Sequence, residues 1–242
     1  MVKEIFKDQT EASRAMAERF VTLAQEAVKD RSRFTVALAG GSSVQVLYEM
    51  LRSDSYRDRI PWNKSHVFWG DERAVPLEDA LSNAKMAYEK LLNHVPIPHD
   101  QIHRMKGEMD PGDAADEYEA VLKRHFGNEE PLFDLILLGM GADGHTASIF
   151  PGSEAVRETE RLVTTGYNSE QGTHRITLTA PLINQSRQIF FAVFGEGKAE
   201  TLRQVLEGEY APGQLPVQLI RPDQSEVTWF LDKGSAKLLK QL

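Results

Sequence analysis

The chain has 242 residues, with 28 lysines and arginines against 36 aspartates and glutamates, and so a formal net charge of −8 with histidine neutral. A chain of this length buries roughly 70–75% of its unfolded surface and needs no metal or disulfide staple, and 41% hydrophobic with 26% charged residues excludes a disordered or collagenous protein. A pI near 5.4 argues against nucleic acid and other polyanions, and the absence of cysteine excludes disulfides, thiolate metal sites and a cysteine nucleophile.

The opening residues MVKEIFKDQTEASRAMAERF lack the apolar core of a signal peptide, and no stretch reaches the roughly 18 apolar residues of a membrane span. The expectation is a cytoplasmic protein with no membrane partner. Ala12, Ala15, Met16, Phe20, Leu23, Ala24, Ala27 and Val28 share one face at helical spacing, with Asp8 or Thr10 as cap. Phe34 to Ala39 reads as a buried strand, followed by Gly40, Gly41, Ser42 and Ser43 and a helical pattern from Val44 to Leu51. His66 to Trp69 reads as a second strand, ending in a turn at Gly70, Asp71, Glu72 and Arg73. Ser82 caps a helix to about Leu92, and Asp113 to Phe126 forms a helix stopped by Gly127. Leu132 to Leu138 is the most apolar strand and runs into Gly139, Met140, Gly141, Ala142, Asp143, Gly144 and His145. Further strands are predicted at 162–165, 175–179, 189–194 and 227–231, with helices at 198–206 and 235–239. Strands alternate with helices, and no linker or repeat interrupts them. The pattern predicts a single α/β domain over residues 1–242, with a mostly parallel sheet covered by helices on both faces.

Four of these strands (34–39, 66–69, 132–138 and 189–194) end in glycine-containing turns with Ser, Asp, Arg, His or Lys close by. Ligands bind at the carboxyl ends of strands in open parallel sheets, so the four turns are expected to converge on one site. Gly40, Gly41, Ser42 and Ser43 leave N–H groups at a helix start that suit an anion, although a serine there serves equally well as a helix cap. Gly139 to Gly144 matches G-x-G-x-x-G, but Pro151 and Gly152 leave no room for the long helix that a dinucleotide turn must open. His145, beside Asp143 just past the most buried strand, has the position of a general base with an orienting partner. Asp71-Glu72-Arg73 reads either as a solvated charge run or as an arginine held over the site, and Arg175 and Lys198 read as surface cations, although a lysine in a glycine turn suits a phosphate oxygen. His94, His99 and His103 tempt toward a metal site, but two prolines make the stretch a loop and weigh against ligation. Trp62, Trp69 and Trp229 are read as packing residues, and Gly40 to Val44 lacks the closing glycine of a serine-esterase elbow.

Taken in order, LAGGSSVQVLYEML, VFWGDERAVP, SNAKMAYEKLL, FDLILLGMGADGHTASIFPGS, HRITLTAPLINQSRQIFFAVFGEGKAETLRQVLEG and VTWFLDKGSA resemble the 6-phosphogluconolactonase family of the DevB type across about residues 34–235. The resemblance implies a modified Rossmann-like domain shared with glucosamine-6-phosphate deaminase and ribose-5-phosphate isomerase. It implies hydrolysis of 6-phospho-D-glucono-1,5-lactone, the second step of the oxidative pentose phosphate pathway, by a monomer or homodimer that needs no metal or cofactor. It sets the substrate phosphate on Gly40, Gly41 and Ser42, with Ser43 keeping the hydroxyl and Arg175 and Lys198 as counter-charges. It makes His145 the base, oriented by Asp143 or a backbone carbonyl, and puts Asp71 and Arg73 near the lactone. The family often carries Thr-Pro after the glycines where this chain has Ser43-Val44, so the proline that presets a first helical turn is lost. A related deaminase would carry an acid after the D-G-H segment, where this chain reads Ile149-Phe150-Pro151-Gly152. A sugar-phosphate sensor would carry a helix-turn-helix ahead of the domain, where one helix precedes Phe34.

Overall fold

The computed structural model describes residues 1–127, 132–169 and 171–240. The chain enters on a strand, Val2–Phe6 (β1), whose exposed and charged first half hides it from a pattern search. The first helix, Gln9–Arg31 (α1), starts where the Asp8 carboxylate accepts the Glu11 N–H at 3.0 Å. It buries Ala12, Met16, Phe20, Val21, Ala24 and Ala27 on one face. Phe34–Leu38 (β2) is buried throughout. After it, Ser42–Val44 makes a 3-10 turn that leads into Gln45–Leu51 (α2).

Ser65–Trp69 (β3) is followed by Asp71–Arg73 (β4), Asn83–Lys90 (α3) and Pro111–Phe126 (α4). Ser82 caps α3 as the sequence predicts, while α4 begins two residues earlier than expected, with Asp110 as cap and Pro111 in the first turn. Leu135–Gly139 (β5) is followed by the hairpin Val163–Asn168 (β6) and Thr173–Leu178 (β7). The chain closes with Ala180–Asn184 (α5), Gln188–Val193 (β8), Ala199–Glu207 (α6), Glu226–Asp232 (β9) and Lys233–Ala236 (α7).

Six strands form one parallel sheet in the order β1-β9-β8-β5-β2-β3. Side chains alternate across it, so Leu135 and Leu137 of β5 enter the core packed by α1 while Ile136 and Leu138 enter the core packed by α4. Helices thus cover both faces, which explains why its central strands read as unbroken apolar runs. Among the described residues no helix is long and apolar enough to cross a membrane.

Three local expectations are corrected. Asp71–Arg73 is a strand rather than a turn: Gly70 N donates to Leu38 O at 2.9 Å, and the chain then leaves the parallel sheet to pair antiparallel with β7 in a second sheet ordered β4-β7-β6. Neither Ser42 nor Ser43 caps α2, because Gly41 holds the cap position of the intervening 3-10 turn at φ +83°. The last helix starts at Lys233 rather than Ser235, since Asp232 accepts the Ser235 N–H at 2.7 Å.

Three histidines meet at the outer edge of the sheet. His66 lies on β3, His125 in the last turn of α4, and His103 on the segment whose N–H bonds Val67 O at 2.8 Å. Burial pushes His103 down to about 4 and His125 to about 3, with His66 lowered by the same cause. In the unfolded chain these rings titrate near 6.5, so it binds more protons than the folded chain between those values. The stability that these neutral rings contribute is fully present above about pH 6.5 and is lost as pH falls toward 4 and 3. Thermal melting is expected to drop steeply between pH 6.5 and 4, with His125→Gln flattening that drop relative to wild type.

Candidate active site

The four strands whose turns carry glycine and polar residues are neighbours, β8-β5-β2-β3, so their carboxyl ends open into one place. There they line a cleft of about 290 Å³. Gly40, Gly41, Ser42 and Ser43 follow β2, Gly70 and Asp71 stand where β3 passes into β4, Gly139 to Gly141 and His145 end or follow β5, and Phe194 and Lys198 follow β8. The second sheet closes the side of the cleft with Arg73 of β4 and Arg175 of β7. Asp143 does not line the cleft and reaches it through its contact with His145.

His145 Nδ1 lies 2.5 Å from Asp143 Oδ1, and the same carboxylate oxygen accepts the His145 N–H at 3.2 Å. Burial pushes the Asp143 carboxyl up, but the hydrogen bond and charge of His145 outweigh it and hold the group below its ordinary value. An ionised Asp143 fixes the tautomer: Nδ1 carries the proton and donates it, leaving the Nε2 lone pair for a ligand. The ring is 30% exposed and sits 4.7 Å from the Phe150 ring, which limits its rotation. A Cβ on Gly141 would fall 2.1 Å from His145 Nδ1 and 2.2 Å from Asp143 Oδ1, so only glycine lets the pair form. The clashing atoms are side-chain ends, and Gly141→Ala is expected to melt within a few degrees of wild type while kcat falls by about a hundredfold, from displacement of the imidazole by about 1 Å. Paired melting and initial-rate measurements check this.

The cations converge on the other side. Arg175 is 3% exposed, donates from one guanidinium nitrogen to Gln171 Oε1 and leaves its NH1 buried without a partner. Burial lowers its pKa, Arg73 lowers it further, and Asp71 and Glu72 pull it back. Lys198 is lowered by burial against the pull of Asp143, and its ammonium makes no ion pair or hydrogen bond with another described residue. A buried, unsatisfied donor and an ammonium without a hydrogen-bond partner, both lining one cleft, cost free energy that a bound anion would relieve. Arg73 faces Arg175 across the β4–β7 register and donates to Leu81 O.

Below the cations, burial raises the Glu72 carboxyl against the backbone N–H groups of Asn83, Ala84 and Arg73, each donating at 2.7 Å. That clamp ties β4 to the start of α3 and sets Asn83 at the cleft. Asp71 Oδ2 accepts Ser148 Oγ at 2.6 Å, and Asn83 Nδ2 donates to Asp71 O at 3.0 Å.

All the site residues expected from the sequence come together, ten of them around the cleft or on its histidine. Asn83, Ser148, Asn168 and Gln171 also line it and were missed. Asn83 reads as an ordinary first-turn helix residue, Ser148 as loop, and Asn168 and Gln171 fall in the β6–β7 hairpin, whose local sequence carries no sign that it folds over the cleft. His94, His99 and His103 do not assemble: His94 Nε2 bonds Glu89 O at 2.9 Å, His99 opens a 3-10 turn, and only His103 joins another cluster.

A sequence model of the family described as glucosamine-6-phosphate isomerases/6-phosphogluconolactonase matches residues 7–229. The chain belongs to this family. A Synechocystis protein named 6-phosphogluconolactonase is 42% identical over 219 residues, covering 89% of this chain and 88% of its own. A rice protein named probable 6-phosphogluconolactonase 3, chloroplastic, is 38% identical over 249 residues, covering 98% of this chain and 76% of its own. Among solved structures, the devB protein superposes with a TM-score of 0.88 at 31% identity, covering 98% of each chain. The 6-phosphogluconolactonase of Trypanosoma cruzi gives 0.88 at 28%, covering 99% of this chain and 97% of its own. A monomeric glucosamine-6-phosphate deaminase gives 0.83 at 20% identity, covering 98% of this chain and 100% of its own, and so shares the fold. The family description thus spans both sugar-phosphate isomerases and lactone hydrolases.

Proposed function

We propose that this chain hydrolyses 6-phospho-D-glucono-1,5-lactone to 6-phosphogluconate. The observation that carries the reading is the pairing, in one cleft, of an Asp143-oriented imidazole with a buried Arg175 donor and a Lys198 ammonium that lack partners. The names of the full-length relatives support the same substrate.

In this reading the phosphate sits on the Gly40-Gly41-Ser42-Ser43 turn between Arg175 and Lys198, which anchors one end of the substrate and brings C1 of the lactone toward His145. His145 Nε2 takes a proton from water as its oxygen bonds to C1. Asp143 stabilises the imidazolium so formed, and Arg73 faces the negative charge that develops on the carbonyl oxygen. When the tetrahedral intermediate collapses, the bond between C1 and the ring oxygen breaks and the imidazolium returns its proton to that oxygen. The products are the acid and a freed hydroxyl, and the histidine is restored. A lactone is an activated ester, so one base and a few well-placed donors suffice. Asp71, held by Ser148 and Asn83, accepts hydroxyls of the sugar. The acidic surface, net −8, does not oppose this, because the field at the cleft is set by cations within a few ångströms.

Two assays on the same preparation separate the lactonase from its deaminase relatives. With freshly made lactone the chain is expected to release acid well above the spontaneous rate, and with glucosamine 6-phosphate it is expected to release no ammonia. Ammonia release without acid release would overturn the reading.

A further inference from the structure

We propose that His66, His103 and His125 form a binding site for a divalent transition-metal ion of the zinc type, apart from the cleft. The three rings come from β3, the 102–105 segment and α4, and each offers a ligand nitrogen, all within 4.8 Å of one another. None of the three lines the cleft, and His66 lies at the amino end of β3 while the cleft begins past its carboxyl end.

His66 Nδ1 and His103 Nε2 are 3.3 Å apart and share a hydrogen bond whose proton an ion would replace. Two nitrogens bound to one tetrahedral zinc at about 2.0–2.1 Å are themselves separated by about 3.4 Å, so this pair already has the spacing an ion needs. The third nitrogen closes by side-chain rotation. His125 Nε2 is buried with no hydrogen-bond partner, a state that buried polar atoms rarely keep. The rings are held by aromatic neighbours: Phe68 stacks on His103 at 4.4 Å and meets His125 edge-on at 5.0 Å. Three imidazoles with no carboxylate or thiolate among them select zinc, nickel or copper over magnesium or calcium. The charged groups facing the cluster are Asp100, which favours a cation, and Arg33, which opposes it and lies 5.9 Å from the Phe126 ring. The ion would tie the edge strand β3 to the end of α4 and contribute to stability rather than to the reaction.

The test is zinc titration of chelator-stripped protein at pH 7.5 in competition with a chromogenic zinc indicator. One equivalent is expected to bind with a dissociation constant below about 10 µM and to raise the melting temperature, as any ligand selective for the folded state does. His103→Gln and, separately, His66→Asn are each expected to weaken binding by about tenfold or more, with lactone hydrolysis unchanged, while His145→Ala keeps the metal affinity of wild type. Failure of wild type to bind below about 100 µM zinc overturns the proposal. So does binding that survives both cluster substitutions, or that is lost in His145→Ala, which would place the ion in the cleft. If either cluster variant does not fold, the imidazole spectrum of wild type decides: zinc should shift three of the seven histidines, and a shift confined to His145 overturns the site.

Discussion

Removing both phosphate-facing cations, in the double variant Arg175→Ala with Lys198→Ala, is expected to raise KM for 6-phosphogluconolactone by about two to four orders of magnitude. Each charge-assisted hydrogen bond to a phosphate oxygen contributes about 1.5–3 kcal/mol, or roughly ten- to hundredfold in affinity. The two groups share one anion, so their effects combine to less than their product. Lys198→Ala is the milder single change, because the ammonium makes no hydrogen bond with a described residue and leaves only the exposed Asp143 without its charge. Arg175 also faces Asp71 and Glu72, and its loss removes a cation from beside those hydrogen-bonded carboxylates. Its KM effect therefore has to be read beside its melting temperature. The kcat of both single variants should stay within severalfold of wild type, since the anchor acts on ground and transition states alike. Retained discrimination between phosphorylated and unphosphorylated lactone in the double variant would put the phosphate elsewhere.

Replacing His145 with alanine is expected to do the reverse. The imidazole acts on the reacting water rather than on the anchored phosphate, so kcat falls by about two or more orders of magnitude while KM changes little. Asp143→Asn tests the same chain of contacts more finely. Asparagine can still hydrogen-bond Nδ1 but carries no charge to stabilise the imidazolium. It should lower kcat by about tenfold or more and leave the fold intact, because Asp143 is solvent-exposed and bonds only within its own loop. Steady-state kinetics of the two variants at one pH distinguish the loss of the base from the loss of its partner. A near-normal kcat in His145→Ala would remove the histidine from the reaction.

The parts of this site that lay open in the sequence are those where chemistry and strand ends coincide. Leu135 to Leu138 is apolar enough to be a central strand, and a glycine turn after such a strand leaves whatever polar residue follows, here Asp143 and His145, at the sheet's ligand-binding edge. The same reasoning locates Gly40, Gly41, Gly70 and Lys198. Arg175 was legible as a cation but not as a buried one, because nothing in RITLTA tells that β7 leaves the main sheet to pair with Asp71–Arg73. That second sheet was the main architectural surprise. Three residues after a strand end read as a turn, and only long-range pairing turns them into β4.

Asn83, Ser148 and Gln171 stayed hidden for a related reason. Each is a common surface residue in its local sequence and gains its place only when distant elements meet: Ser148 across 77 residues to Asp71, and Asn83 through the buried Glu72 clamp. The histidines illustrate the opposite case. Sequence proximity grouped His94, His99 and His103, whereas the fold pairs His103 with residues on β3 and α4 that sequence spacing could not connect.

The most direct test of the central claim uses wild-type protein alone, comparing the initial hydrolysis rate of freshly prepared 6-phosphogluconolactone with that of unphosphorylated gluconolactone, each corrected for its spontaneous opening. An imidazole base served by two phosphate-binding cations predicts a kcat/KM at least about a hundredfold higher for the phosphorylated lactone. Equal rates on the two lactones, or no rate above the spontaneous one on either, would contradict it.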